Sequence, residues 1–447
     1  MRFSRIAVLV ALSAACCLPI FTLSSATAQE RPNVLVIVTD DQRASTDTYQ
    51  MLPKLMGRVR DGGLWFRNAV ATIPLCCPSR VSIFTGQYAH NHGTLRNSGK
   101  GWTLQEQQRS LQFTLRSAGY KTAVAGKFLN FWSDNPPYFD RWATFTRLGY
   151  TDSTFNVDGT SVQTSQYSTA FIRDRAFDFL ADFETTDETP WLMFLEPWAP
   201  HKPSTPEPKY ASAPVPAFVD NPATRESDRS DKPAYVERYS VTKSSMVTLR
   251  RQMLRTLLSV DDMAAAVFDR MVALGEDNTI VVFLSDNGYL WYEHKLNEKR
   301  YPYNESARIP MFLSWPGHLP AGEVRQNIVG TIDVAPTLYE LLGITPNYTV
   351  DGRSMLDSNR DHILLEYWQE SHANAPPTWQ AFWTPQRTYI EYPGVSGPDG
   401  REYYAPADPW QLNNRFGNTV VGDEPVDAAE LAARLGQDRV CAGASCP

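Results

Sequence analysis

Hydrophobic runs divide the chain into elements before any chemistry is considered. Residues 32–38, PNVLVIV, form a β-branched apolar run without polar alternation, which predicts a strand covered on both faces in a parallel sheet. Residues 279–284, TIVVFL, repeat the pattern. From Thr242 to Leu274 apolar positions recur at helical intervals and stop at Gly275, so one long amphipathic helix is expected. Shorter periodic stretches predict a strand over Met311–Trp315, a helix over Val334–Leu342, antiparallel strands such as Thr388–Tyr392, and a terminal helix over Val426–Leu435. Between Lys202 and Ala234 seven prolines break every period, which predicts a loop.

Composition adds compartment and scale. Arg2 and Arg5, the apolar run Ile6–Leu23 and Ala26-Thr27-Ala28 make the three parts of a secretory signal peptide. Cleavage near Ala28, no membrane anchor, and a secreted, periplasmic or extracellular mature protein are therefore expected. The rest is long enough for a full core. A catalytic domain over 29–356 and a smaller C-terminal subdomain over 357–447 are expected. A net charge of −7 without a basic block argues against nucleic acid, so an anionic substrate needs a local cationic pocket. Of six cysteines, Cys16 and Cys17 fall in the leader, and Cys441 and Cys446 are expected to form a terminal disulfide. Cys76 and Cys77 stand apart.

The candidate chemistry sits where strands end. The first run closes on Asp40-Asp41 and the second on Asp286-Asn287; ligands of open α/β sheets gather at such carboxyl ends. Each pair taken singly could be a helix cap. Together, on neighbouring strands, they offer only oxygen ligands, which suit Ca²⁺, or less well Mg²⁺, rather than Zn²⁺. The stretch 73–93, IPLCCPSRVSIFTGQYAHNHG, places Pro78 in the first turn of a helix running on to Thr85. Cys76 then lies at or just before a helix N-terminus, where free N–H groups favour an anion. Arg80 returns to the same face one turn later.

Cys76-Cys77-Pro78-Ser79-Arg80 followed by Thr85-Gly86 resembles the signature of the type I sulfatases. Similar stretches are Asp40-Asp41, Gly119-Tyr120-x-Thr122 with Gly126-Lys127, Ala199-Pro200-His201, Ser285 to Gly288, Lys299 to Pro310, and Asp333 to Leu338. The resemblance implies an alkaline-phosphatase-like α/β fold: a large mixed, mainly parallel sheet flanked by helices, with a small C-terminal antiparallel-sheet subdomain. It also implies that a formylglycine-generating enzyme oxidises Cys76 to formylglycine (3-oxoalanine), whose hydrated aldehyde attacks the sulfur of a sulfate ester. By the same resemblance Cys76, Arg80, Lys127, His201 and Lys299 are catalytic. Asp40, Asp41, Cys76, Asp286 and Asn287 would hold the metal, and His92, Asn130 and Lys202 would bind substrate.

Within that pattern Asp286 is the acceptor of the nucleophile's proton, and Lys299 or His201 protonates the leaving alcohol. Lys295 is the fallback for Lys299, and Lys295 and Arg300 are otherwise expected on a solvated basic face. Leu129 stands where many sulfatases have histidine, which leaves the base for sulfate release unassigned and makes His201 its candidate. Cys76-Cys77, Leu129-Asn130 and His90-Asn91-His92 look like the glucosamine-6-sulfatases and extracellular heparan-sulfate sulfatases, so the implied substrate is a sulfated mono- or oligosaccharide. His90 is read equally as a functional or an ordinary loop residue. Two alternatives stand beside this: a phosphonate or phosphate ester hydrolase of the same superfamily, and an inactive sulfoglycan-binding protein.

Overall fold

The computed structural model describes Met1 and residues 31–447 apart from 98–105, 131, 187, 358, 373 and 421. The signal-peptide expectation falls outside the described residues. At the centre lies Asn33–Thr39, paired in parallel with Trp191–Glu196 on one side and Thr279–Ser285 on the other. Lys121–Gly126 and Arg141–Arg147 extend one wing in parallel, followed by the antiparallel strands Ser153–Val157 and Thr160–Thr164. The other wing runs through antiparallel Met311–Ser314 to Leu64–Val70 and Glu323–Gly330. The result is a ten-stranded mixed sheet, mainly parallel at its centre.

Alternate residues of the central strands feed two different cores, which is why these strands have no polar face. Leu35, Ile37, Met193, Leu195, Val281 and Phe283 pack in one core with Leu257, Val260 and Ala264 of the long helix. That helix spans Lys243–Leu274, as the periodicity predicts, and ends on Gly275 in the left-handed conformation. Val34, Val36, Val38, Phe194, Val282 and Leu284 face the opposite core with Val81, Phe84 and Leu338. The last three belong to helices Cys76–Thr85 and Val334–Leu342.

Residues 32–447 form one compact unit. Within it, Ile363–Tyr367, Trp379–Trp383, Thr388–Glu391 and Arg401–Tyr404 make a four-stranded antiparallel sheet in sequence order. Its apolar face shares a core with Val70, Ile73, Leu75 and Leu296. The terminal helix runs Ala428–Asp438, slightly later than its apolar pattern indicates. Short helical turns at Pro208–Tyr210 and Pro222–Arg225 interrupt the proline-rich loop. Cys441 and Cys446 form the expected disulfide, while Cys76 and Cys77 are free and buried. Among the described residues no helix is long and apolar enough to cross a membrane.

Candidate active site

The two central strands deliver their carboxylates side by side because their register aligns Thr39 with Ser285. Asp41 takes a left-handed φ of 70°, a conformation that aspartate tolerates better than most residues. Its N–H donates to Asp286 Oδ1 at 3.2 Å and its Oδ1 accepts from Asn287 Nδ2 at 2.7 Å. A side chain at residue 288 would collide with the Glu305 carbonyl oxygen, 2.3 Å from the Cβ position, so Gly288 lets this corner close.

Cys76 is the first residue of its helix, after an extended Leu75. Its Sγ approaches Asp40 Oδ1 at 3.6 Å. Ser79 ties the helix to the second strand end, its hydroxyl donating to the Asp286 carbonyl at 2.5 Å. Arg80 Nε donates to Asp286 Oδ2 at 2.9 Å and Nη1 donates to the Lys127 carbonyl at 2.5 Å. Lys127 pairs with Asp40 Oδ2. It emerges just after Gly126, whose φ is 118° and whose Cβ would lie 2.0 Å from the Glu196 carbonyl oxygen. Lys299 Nζ donates to Asp41 Oδ1 at 2.5 Å.

His201 is the most exposed of these groups, with its side chain about one-fifth exposed and its ring stacked on Trp198. Its Nδ1 lies 2.6 Å from the Lys202 carbonyl. A carbonyl only accepts, so Nδ1 carries the hydrogen and Nε2 of the neutral ring has a free lone pair. Nε2 stands 3.6 Å from Asp41 Oδ2. One carboxylate oxygen each from Asp40 and Asp41, Cys76 Sγ and a His201 ring nitrogen all lie within 4.8 Å of one another.

Burial and charge pull these groups in different directions. Burial opposes ionisation of Asp40, but Lys127, His201, Arg80 and Lys299 outweigh it and hold the carboxyl well below the usual range. Burial, reinforced by the charge of Asp40, pushes Asp286 up to about 6 and the Cys76 thiol up to about 12. His201 is depressed to about 4 by burial and by Lys299. The donor set fits a hard cation: Asp41 Oδ2 and Asn287 Oδ1 are buried without a hydrogen-bond partner, and an orphaned buried oxygen needs a ligand to offset its desolvation.

The family model for sulfatases matches residues 32–344. The chain belongs to the sulfatase family. It is 30% identical over 399 residues to the N-acetylglucosamine-6-sulfatase of Homo sapiens, covering 81% of this chain and 71% of that protein. It is also 30% identical over 374 residues to the extracellular sulfatase SULF-1 homolog of Drosophila melanogaster, covering 78% of this chain but only 33% of that relative's length. In fold it resembles a protein solved in complex with its substrate D-glucosamine-2-N,6-O-disulfate, with a TM-score of 0.77, 23% identity, and 91% and 97% of the two chains covered.

Not every residue expected at this sulfatase-family site lies there. The structure brings together Asp40, Asp41, Cys76, Arg80, Lys127, His201, Asp286, Asn287 and Lys299. Lys295 is not among them; its ammonium donates to the Ser227 carbonyl. His92, expected at the substrate, is buried behind the helix, with Nε2 3.1 Å from Ser82 Oγ and Nδ1 accepting from Thr94 N–H. Burial depresses it to about 3, so it is a neutral packing residue. His90 is equally structural, with Nδ1 on Glu366 and Nε2 on the Cys441 carbonyl.

Lys202 lies at the rim, paired with Glu298. The Asn130 N–H donates to Cys77 Sγ at 3.1 Å, which holds the second cysteine beneath that turn. Asn304 is fastened to Trp383 and the Pro409 carbonyl. Arg300, expected on a solvated face, is mostly shielded and doubly paired.

Glu196 was not anticipated. It is fully buried, its Oε2 lies 3.6 Å from Arg80 Nη1, and burial pushes it up to about 8. A carboxylate ending the apolar run Trp191–Glu196 is the same signal that marks Asp40, and could have been read by the same rule.

Proposed function

We propose that this protein hydrolyses sulfate monoesters on a sulfated carbohydrate, working from a formylglycine made by oxidation of Cys76. The observation that carries the reading is the convergence, on one buried helix-terminal cysteine, of three carboxylates, two lysines, an arginine and a histidine. An unmodified Cys76 is a poor nucleophile in this setting, because a thiol pushed up to about 12 stays protonated at neutral pH. Oxidised and hydrated, the residue would supply an oxygen nucleophile in its place. Asp40, Asp41, Asp286 and Asn287 would hold a Ca²⁺ ion, which supplies countercharge to sulfate oxygens.

The remaining steps belong to the chain's own groups. Lys127 and Lys299 add positive charge where the ester's sulfonate oxygens gather charge during displacement. Arg80 is enclosed by Asp286, Asp40 and Glu196 and orients those carboxylates. Lys299 keeps its ammonium against Asp41 and donates a proton to the leaving oxygen, which departs as an alcohol with the S–O bonding pair. His201, with its free Nε2, accepts the proton when sulfate is released, the task left open by Leu129.

The test is purified protein against a panel of sulfated mono- and oligosaccharides, aryl sulfates, and phosphate and phosphonate esters, with peptide mass spectrometry at residue 76. The expected result is turnover of sugar sulfates above all others and an aldehyde or its hydrate at position 76. Preference for phosphonate or phosphate esters would move the protein to the neighbouring reaction class. No turnover, with binding of sulfated sugars and an unoxidised Cys76, would establish a binding protein instead.

A further inference from the structure

Lys299 sits on a hairpin that cannot hold it unaided. The paired strands, Leu290–Trp291 and Asn297–Glu298, are two residues long each, too short to be stable by themselves. Glu298 and Arg300, on either side of Lys299, have φ of 74° and 87°. Such left-handed backbone persists in ordinary residues only where the surroundings enforce it.

Those surroundings form a chain of contacts centred on Arg300. Its N–H donates to the Pro74 carbonyl at 3.1 Å, two residues before Cys76. Its carbonyl accepts from the Trp379 indole at 2.8 Å, within the C-terminal sheet. The guanidinium forks: Nη1 donates to Glu298 Oε2 at 2.5 Å and Nε donates to Glu370 Oε2 at 2.8 Å. Glu298 reaches Lys202 through its other oxygen, and Glu370 Oε1 accepts from the Asn97 N–H at 3.4 Å. The Arg300 and Glu370 side chains are 17% and 13% exposed, so solvent screens this pair only in part.

We propose that Arg300 and Glu370 are positioning residues for Lys299, a bridge from the C-terminal segment that fixes where the leaving-group proton stands. The proposal rests on the sulfatase reading, in which Lys299 is the acid. No new reactant enters: Lys299 gives one proton to the ester oxygen, that oxygen keeps the electron pair of the broken S–O bond, and solvent later returns the proton to the amine.

Positioning of an acid can be told from general structural support by the leaving group. A sugar alkoxide must be protonated as it departs, whereas a nitrophenolate is stable without a proton. Two variants separate the contributions. Arg300→Lys keeps the charge, but a single ammonium cannot bridge two carboxylates in the guanidinium's fixed fork, and Glu370→Gln keeps the shape but not the charge.

With a sugar sulfate that the wild-type protein turns over, kcat should fall about tenfold in either variant, because small misplacements of a reacting group are costly. With 4-nitrophenyl sulfate it should stay within about twofold. In a Lys299→Ala background neither substitution should lower the residual sugar-sulfate rate further, since effects through one group do not add. Equal losses on both substrates, a further loss in the Lys299→Ala background, or no loss at all would overturn the positioning role while leaving the sulfatase reading intact. A wild-type protein that turns over neither substrate would overturn the sulfatase reading itself, and this role with it.

Discussion

Asp41 Oδ2 and Asn287 Oδ1 carry part of the cost of this site, since both are buried and unpartnered, and each such atom costs about 1–3 kcal/mol until something binds it. Asn287→Ala and Asp40→Ala should therefore lower metal retention, read by elemental analysis after dialysis against a chelator, with calcium the expected ion. Stoichiometric zinc without calcium or magnesium would refute that assignment. Cys76→Ala should abolish turnover, while mass spectrometry should find Cys77 still a thiol, because its sulfur is occupied by the Asn130 N–H and faces the core rather than Asp40. A Lys299→Ala variant should mainly slow alcohol release and His201→Ala should mainly slow sulfate release, a division that pre-steady-state kinetics would resolve. Lys299 and Lys295 are equivalent by residue type. Only Lys299 has an ionised partner in the site, in agreement with the motif spacing that singles it out; residue type alone does not distinguish the two.

At the scale of elements, the strands and the long helix were legible because their signals are periodic and local. The central strands are apolar on both sides, and each side meets its own core; the helix Lys243–Leu274 shows one apolar stripe and stops at glycine. Ala89–His92 was not legible in the same way. Its sequence left His90 open between function and an ordinary loop role and put His92 at the substrate, whereas this short helix is a fastening to the C-terminal sheet. Burial disfavours the His90 cation, but the hydrogen bond and charge of Glu366 outweigh it and raise the group from 6.5 to about 9. A raised folded-state value means the stabilisation is complete below pH 6.5 and disappears as pH rises through 9. The thermal midpoint should accordingly fall across that interval, and His90→Gln should flatten the fall; an unchanged slope would exclude this pair as its source.

Across the whole molecule, the C-terminal segment is joined to the catalytic sheet by a buried ion pair. Arg360 donates through Nη1 and Nη2 to both oxygens of Asp333, at 2.5 and 2.9 Å, and through Nε to the Pro447 carbonyl. Arg360→Ala leaves the Asp333 charge buried alone, so denaturant unfolding should show a loss of about 3–5 kcal/mol; the double variant Asp333→Asn with Arg360→Met should lose less. A single-variant loss no greater than that of an exposed arginine would contradict the account. The chain's own order of residues was sufficient for the two strand ends with their carboxylates, the cysteine at the helix start, and the terminal disulfide, since each depends on neighbours in sequence. Tertiary structure alone decided that Asp41 meets Asn287 from 246 residues away, that Asp41 is the partner the Lys299 ammonium reaches, that Glu196 lies beside Arg80, and that His90 and His92 are held in structural contacts. Contacts between distant segments are set by strand register and by the closing of cores, and these leave no period along the chain from which they can be read.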